Sequence, residues 1–567
     1  MKNSYIVILN AKVYTMNEND EIKEAIVIKD SKIVYVGENI KAKEYITYAK
    51  QVINLEGKIV LPGFIDSHIH PPGTALTELY EVSLYELNNL KDYKDKIREF
   101  INNNKDIDIV YGKGWSLGNF EGKELSKGPK KEHLDEISKD IPIVLRSYDG
   151  HTIWLNSKAF ERFNITKDTQ APECGKIEIN DETKELWGTL KETATYIIKE
   201  QNYSANQYKK AYDIFQKKMH KYGITSILSI SGLKWELNPN DYSKIYEQLD
   251  KENNLKIRVS NAVTVFPDDD IKAQIENIKN IRANYNSRYF KTTTVKILGD
   301  GVVEGSTANL LLPYEKYCGK GEKYFGEFLW ETKKLIEVIK LSNENKFSVH
   351  VHSIGDASTK KVLDAMEVLY KDKDGINFRN TITHLQLVDK KDIKRFKELD
   401  VIASVQPYWH LKAPIWWDVV EHKLLGERAE YEYPLNSFLK ENVIIASSSD
   451  HSVTLEPNPL QAIECGVTRN LFDANYYKID DIDDMDDERY LLNKKERISV
   501  YDMVKSFTIN GAYAIFREDE VGSIEVGKYA DIIVVDKDIF NMKPIDIEKA
   551  KVLMTFFDGE LVYNNIL

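Results

Sequence analysis

The chain has 567 residues, of which 42% are hydrophobic and 30% charged, so it can bury a sizeable core and lies far from the composition of a disordered chain. A formal net charge of −12 excludes a broad phosphate-binding surface, so nucleic acid is not expected as a partner. Three scattered cysteines, Cys174, Cys318 and Cys465, offer neither a disulfide framework nor a zinc ribbon, and no apolar run reaches the ~18 residues that a membrane helix needs. The expectation is a cytoplasmic, membrane-free protein with buried thiols.

The N-terminal run Tyr5 to Leu9 is too short for a signal-peptide core and reads as a strand. Short β-branched runs follow through Asn54, broken by turns such as Asn17-Glu-Asn-Asp20. The last 50 or so residues have the same character, with Ile532 to Val535 and Lys551 to Phe557 ahead of an Asp558-Gly559 turn. Residues 1–60 and 510–567 are therefore expected to form one composite β-sandwich domain.

Residues 61–509 alternate strand-like and helical patterns, as a parallel barrel requires. Eight strands are predicted: Ile59 to Asp66, Thr225 to Ile230, Ile257 to Val265, Thr293 to Leu298, Phe347 to His352, Asn380 to His384, Val401 to Val405 and Val443 to Ser447. Helices are predicted over Trp330 to Asn343, Ala357 to Leu369 and Lys390 to Glu398, from apolar residues at three and four spacing. The interval 73–223 is too long for a crossover and is read as an insertion after the first barrel strand, built of helices and turns. The acidic run Asp480 to Glu488 lacks the glycine and terminal glutamate of a calcium loop and reads as a solvated surface loop.

Side chains alternate along a strand, so His68 and His70 project to one side at the carboxyl end of the first barrel strand, where barrel enzymes place their sites. That geometry can chelate a metal ion, with Asp66 available as support. Lys296, His352, His384 and Asp450 end later strands in order. Imidazole and carboxylate together favour zinc, manganese or iron over calcium. His350 competes with His352 on the same strand face; the Ser-Ile-Gly-Asp that follows favours His352 and leaves His350 as a core or supporting residue.

The run Leu61-Pro-Gly-Phe-Ile-Asp-Ser-His-Ile-His70, with Gly522-Ser-Ile-Glu-Val-Gly-Lys-Tyr-Ala-Asp-Ile-Ile-Val-Val535, resembles the opening and closing signatures of the amidohydrolase superfamily. Lys296 to Ala308, His352-Ser-Ile-Gly-Asp356 and Ser449-Asp450 are similar to its YtcJ-like group, which includes N-substituted formamide deformylases. The resemblance implies an α/β fold, a (β/α)8 TIM barrel, with one or two divalent ions held by His68, His70, His352, His384 and Asp450. It also implies Lys296 as a bridging ligand carboxylated by carbon dioxide. A protonated amine would be repelled by two cations, and the carbamate resolves this by turning a cation into an anion.

The chemistry implied is hydrolysis of a C–N bond in an amide, formamide or N-acylated amine, with Asp450 as catalytic proton shuttle and a small molecule as substrate. An ester or lactone hydrolase, a deaminase and a non-catalytic scaffold of the same fold are the alternatives. Asp149, His151, Asp300, Glu304, Gln406, Trp409 and His451 follow strands or lie in the insertion and are the candidate substrate contacts. The segment Arg146 to Asn156 is similar to the part of the group that reaches over the substrate cavity. His451 stands where the group usually has a small residue, so it either changes substrate choice or fills space. Trp115, Trp154 and Trp409 either line a cavity or pack a core. A homodimer is compatible with a barrel of this size.

Overall fold

The computed structural model describes residues 5–85, 87–148, 150–172, 175–199, 201–233, 237–315, 318, 320–370, 377–414 and 416–566. The chain divides into two compact units, one of Met1–Pro71, Gln216–Gly232 and Leu237–Leu567, the other of Pro72–Phe215 and Leu233–Glu236.

In the first unit, the terminal segments build two sheets. Lys32–Gly37, Ala25–Lys29, Tyr5–Leu9 and Ala49–Asn54 lie in that order in one, and Glu560–Asn564, Val552–Phe557, Ile532–Val535, Ile59–Pro62, Lys12–Tyr14 and Ile22–Lys23 in the other. Both ends of the chain meet in the second sheet, where Val534 sits opposite Val60. Alternate residues of both sheets, among them Ile6, Ile8, Val60, Val534 and Phe556, share one apolar core. The run Tyr5 to Tyr14 is thus two strands in two sheets, broken at Asn10, whose positive φ of 52° is one asparagine tolerates.

The barrel is a parallel sheet of eight strands in chain order: β1 (Phe64–Ile69), β2 (Ile224–Ser231), β3 (Arg258–Val265), β4 (Phe290–Leu298), β5 (Ser348–Ser353), β6 (Thr381–His384), β7 (Ile402–Val405) and β8 (Ile445–Ser447). Ser67 Oγ donates to the Ser447 carbonyl at 3.0 Å and the Asp450 N–H to the His68 carbonyl at 2.9 Å, drawing β8 onto β1. The expected strand Ile59 to Asp66 divides at Gly63, with Ile59–Pro62 in the terminal sheet and the barrel strand starting at Phe64. Only glycine fits at that crossover, because a Cβ there would lie 2.3 Å from Thr225 Oγ1.

Amphipathic helices cover the strands. Ile271–Asn284 buries Ile271, Ile275, Ile278 and Ile281 at helical spacing and is capped by Asp270, whose side chain accepts the Ala273 N–H. Thr332–Glu344, Asp356–Tyr370 and Lys390–Glu398 lie within two residues of the sequence-based expectations at every boundary. Among the described residues no helix is long and apolar enough to cross a membrane. Cys465 is a buried free thiol, Cys318 is only partly buried, and Cys174 lies outside the described residues.

The second unit contains a six-stranded sheet in the order Gly175–Ile179, Leu186–Glu192, Thr152–Leu155, Ile143–Ser147, Val110–Trp115 and Val82–Ser83, where helices and turns alone were expected. The strands are short, and Gly112 and Gly114 interrupt the pattern of one. A Cβ at Gly112 would lie 2.7 Å from the Val82 carbonyl, so the glycine reflects close strand packing rather than a turn. Trp115 and Trp154 are core residues here, edge to face at 6.1 Å, each with its indole N–H on a backbone carbonyl.

Candidate metal centre

Strand alternation places His68 and His70 at the end of β1, and the loop after β8 brings Asp450 to them. The Oδ1 atom of Asp450 lies 3.3 Å from His68 Nε2 and 3.2 Å from His70 Nε2, and the three side chains offer donor atoms within 4.8 Å of one another. This oxygen is buried and has no hydrogen-bond partner. Burial alone would raise the Asp450 carboxyl, but the neighbouring His70, His384 and Lys296 hold it below the usual range. Asp66 fastens the two strand ends: its carboxylate accepts the backbone N–H groups of His68 and Ser449, at 3.2 and 3.1 Å, and the Ser449 hydroxyl.

A second group faces the first. The rings of His352 and His384 are 4.5 Å apart, and His384 Nδ1 lies 4.0 Å from Asp450 Oδ2. His384 Nδ1 and Gln406 Oε1 are 3.0 Å apart, and the Gln406 amide donates to Ser448 Oγ at 2.7 Å, so the amide oxygen selects the tautomer in which His384 Nε2 is the acceptor nitrogen. Both His384 (φ 77°) and Asp450 (φ 54°) hold left-handed backbone conformations, which histidine and aspartate tolerate better than most residues.

Lys296 on β4 is 2% exposed and forms no ion pair among the described residues. Burial pulls its amine down to about 7, with only the charge of Asp450 opposing the shift. Its register partner on β5 is His350, and that of Leu298 is His352. His350 Nε2 lies 2.8 Å from His68 Nδ1, behind the nitrogen that faces Asp450, whereas His352 Nε2 is 3.2 Å from the Gly301 carbonyl. Burial holds His68, His350 and His384 well below the ordinary imidazole value, hence neutral as ligands must be.

The other candidate contacts fall into different places. Asp300 is buried and accepts the backbone N–H groups of Asn309, Ile354 and Gly355 at 2.9 to 3.0 Å, so its carboxylate ties the loops after β4 and β5 together. Glu304, on the loop after β4, is exposed. Trp409 lies nearly parallel to the His384 ring at 5.8 Å, its indole N–H on Thr454 Oγ1. His451 is buried, its Nδ1 2.8 Å from the Thr454 carbonyl, and its own carbonyl accepts the His70 N–H. In the second unit, His151 Nδ1 lies 3.0 Å from Glu192 Oε2, and Asp149 falls outside the described residues. Sequence reasoning did not single out Gln386, Glu421 and Glu432, which meet beyond the ends of β6 and β7; the one available signal was that Gln386 follows His384 by two.

Residues 51–563 match the Amidohydrolase family. The chain belongs to that family. It is 26% identical over 559 residues to the putative amidohydrolase YtcJ of Bacillus subtilis (strain 168), covering 97% of this chain and 98% of that protein. Identity is 22% to the N-substituted formamide deformylase of Arthrobacter pascens, covering 98% of each chain, and 27% to Protein LONG AFTER FAR-RED 3 of Arabidopsis thaliana, covering 98% of this chain and 91% of that one. The fold is shared with an uncharacterized metal-dependent hydrolase from Pyrococcus horikoshii OT3, with a TM-score of 0.71 at 23% identity over 95% of this chain and 99% of that one. The resemblance carried by Leu61 to His70 and Gly522 to Val535 therefore extends over nearly the whole amidohydrolase chain, and family membership points to a hydrolase.

Proposed function

We propose that the chain hydrolyses the C–N bond of an amide, formamide or N-acylated amine, using one or two divalent ions. The observation that carries this reading is the buried Asp450 Oδ1, orphaned of hydrogen bonds between two imidazole nitrogens at 3.2 and 3.3 Å. A carboxylate oxygen is costly to bury in that state, and a cation would offset the cost. His68, His70, His352, His384 and Asp450 would hold the one or two ions, with Lys296 as a carbamate ligand. Zinc fits this donor set, and manganese or iron would also suit it.

A divalent ion held there would supply Lewis acidity, polarising a carbonyl and bringing the pKa of water down toward ~7. Burial supports the lysine step: a neutral Nζ can add to carbon dioxide with loss of one proton, leaving an anion. Asp450 accepts the proton of the attacking water and returns it to the departing nitrogen, which an amide requires because its anion is a poor leaving group. Gln406 keeps the His384 ring oriented, and Asp66 keeps β1 registered against Asp450.

The test is Asp450→Asn. Amide hydrolysis should fall by about 10²–10⁴-fold, and elemental analysis should show less bound metal than wild type. A metal-free wild type whose amide hydrolysis survives the substitution contradicts the proposal. Two of the similar proteins, Protein LONG AFTER FAR-RED 3 and the exoenzymes regulatory protein AepA of Pectobacterium carotovorum subsp. carotovorum, carry names that do not describe hydrolysis. A non-catalytic role would predict absence of stoichiometric metal. Product analysis on mixed substrates separates amides from esters, lactones and deaminated rings.

A further inference from the structure

Beyond the metal ligands, the loops after β6 and β7 bring two glutamates onto one amide. Gln386 Nε2 donates to Glu432 Oε1 at 2.7 Å and to Glu421 Oε1 at 3.2 Å. Glu432 is fully buried, and its second oxygen, Oε2, has no hydrogen-bond partner. Neither glutamate forms an ion pair among the described residues, and the charge of Arg469 only partly offsets the burial of Glu432. Arg469 directs its guanidinium to the backbone carbonyls of Glu432, Tyr433 and Leu492, and Lys412 pairs with Glu430. Glu421 ends the π-helical turn Trp417–Glu421, and the Trp417 indole N–H at its start is likewise buried without an acceptor. The Trp417 side chain packs in one cluster with Leu387 and Val303, the chain neighbours of Gln386 and Glu304. The charge of Glu304 bears on both glutamates as well.

A half-buried carboxylate and a fully buried one sharing one amide are electrostatically incomplete: loss of solvation pushes Glu421 up to about 8, and Glu432 is raised by burial and by the charge of Glu421. A cation with N–H donors would satisfy Glu432 Oε2 and hold both groups ionised. Because Gln386 follows His384 by two residues, this pair belongs to the same carboxyl end of the barrel as the candidate metal ligands.

We propose that Glu421 and Glu432, bridged by Gln386, receive an alkylammonium or guanidinium group of the substrate, so that the compound hydrolysed is an amide with a cationic end. This rests on the C–N reading above, but its recognition step can be measured without turnover. Metal-loaded wild type, Glu432→Gln and Glu421→Gln are titrated calorimetrically with n-butylamine, protonated at neutral pH, and with n-butanol. The same proteins are assayed on N-formyl-1,4-diaminobutane and on N-formylbutylamine.

Wild type should bind the ammonium at least about tenfold tighter than the alcohol and prefer the cationic formamide by a similar factor in kcat/KM, since a buried polar site rejects a ligand that leaves it unpaired. Both margins should shrink in each variant, and Glu421→Gln carries the test if Glu432→Gln does not fold. Equal binding of the two probes by wild type, or margins that survive both substitutions, overturns the inference. Ammonium binding that depends on Glu432 without hydrolysis of either formamide leaves this site standing and removes the C–N reading. Hydrolysis of both formamides with no preference does the reverse.

Discussion

A lysine amine enclosed among imidazoles and a carboxylate is a poor cation, and Lys296 is 2% exposed with its amine lowered to about 7. If it serves as a carbamate, Lys296→Ala should lose bound metal and most amide hydrolysis, and added acetate or propionate should restore part of both. Full metal occupancy and activity in that variant would rule the bridge out. The chemistry-bearing residues were legible in sequence where strand geometry speaks for them: His68 and His70 lie two apart at the end of the first barrel strand, and Asp450 follows the last one on its loop. Asp300 was legible as a residue near strand ends, but not as the acceptor of three backbone N–H groups, because that depends on loops folding over it. Glu421 and Glu432 carried no signal, since they meet Gln386 across 35 and 46 residues of loop and short helix without periodicity.

At the scale of elements, β3 is fastened to the terminal sheet through Arg258. It is fully buried, with Nε and Nη2 on the Asp531 carboxylate at 2.8 and 2.9 Å and Nη2 also on Asp558 at 2.8 Å. Arg258→Met leaves Asp531 without its cation, while Asp558 keeps Arg288, and should destabilise the fold by about 3–5 kcal/mol in chemical denaturation, whereas a loss under about 1 kcal/mol would show the network to be dispensable. A helix end supplies a pH dependence. His220, near the end of Ala205–Lys221, is buried with Nε2 2.7 Å from the Lys256 carbonyl, and burial lowers it from 6.5 to about 4. It is neutral when folded and protonates more readily when unfolded, so its stabilisation is complete above pH 6.5 and lost as pH falls toward 4. The difference amounts to about 3 kcal/mol at most. In His220→Gln the stability curve should be flatter across that window, and an unchanged slope would contradict the assignment. Elements were readable where a period persisted, as in Lys390–Glu398, and unreadable where one apolar run served two sheets, as at Gly63, or where close strand packing required glycine, as at Gly112.

At the scale of the molecule, the eight-stranded parallel sheet and the sheets from both termini follow from strand and helix patterns along the chain, and the family match over residues 51–563 covers the barrel and the C-terminal strands. The substrate is decided elsewhere, by loops whose contacts no period encodes. The central claim is that a divalent ion at His68, His70 and Asp450 is required for C–N hydrolysis. The direct measurement is amine release from an N-formylated amine by chelated protein before and after addition of zinc or manganese. The account predicts negligible release without metal and restoration with about one or two ions per chain; full release by the metal-free protein, or none from the fully loaded one across a panel of amides, would contradict it.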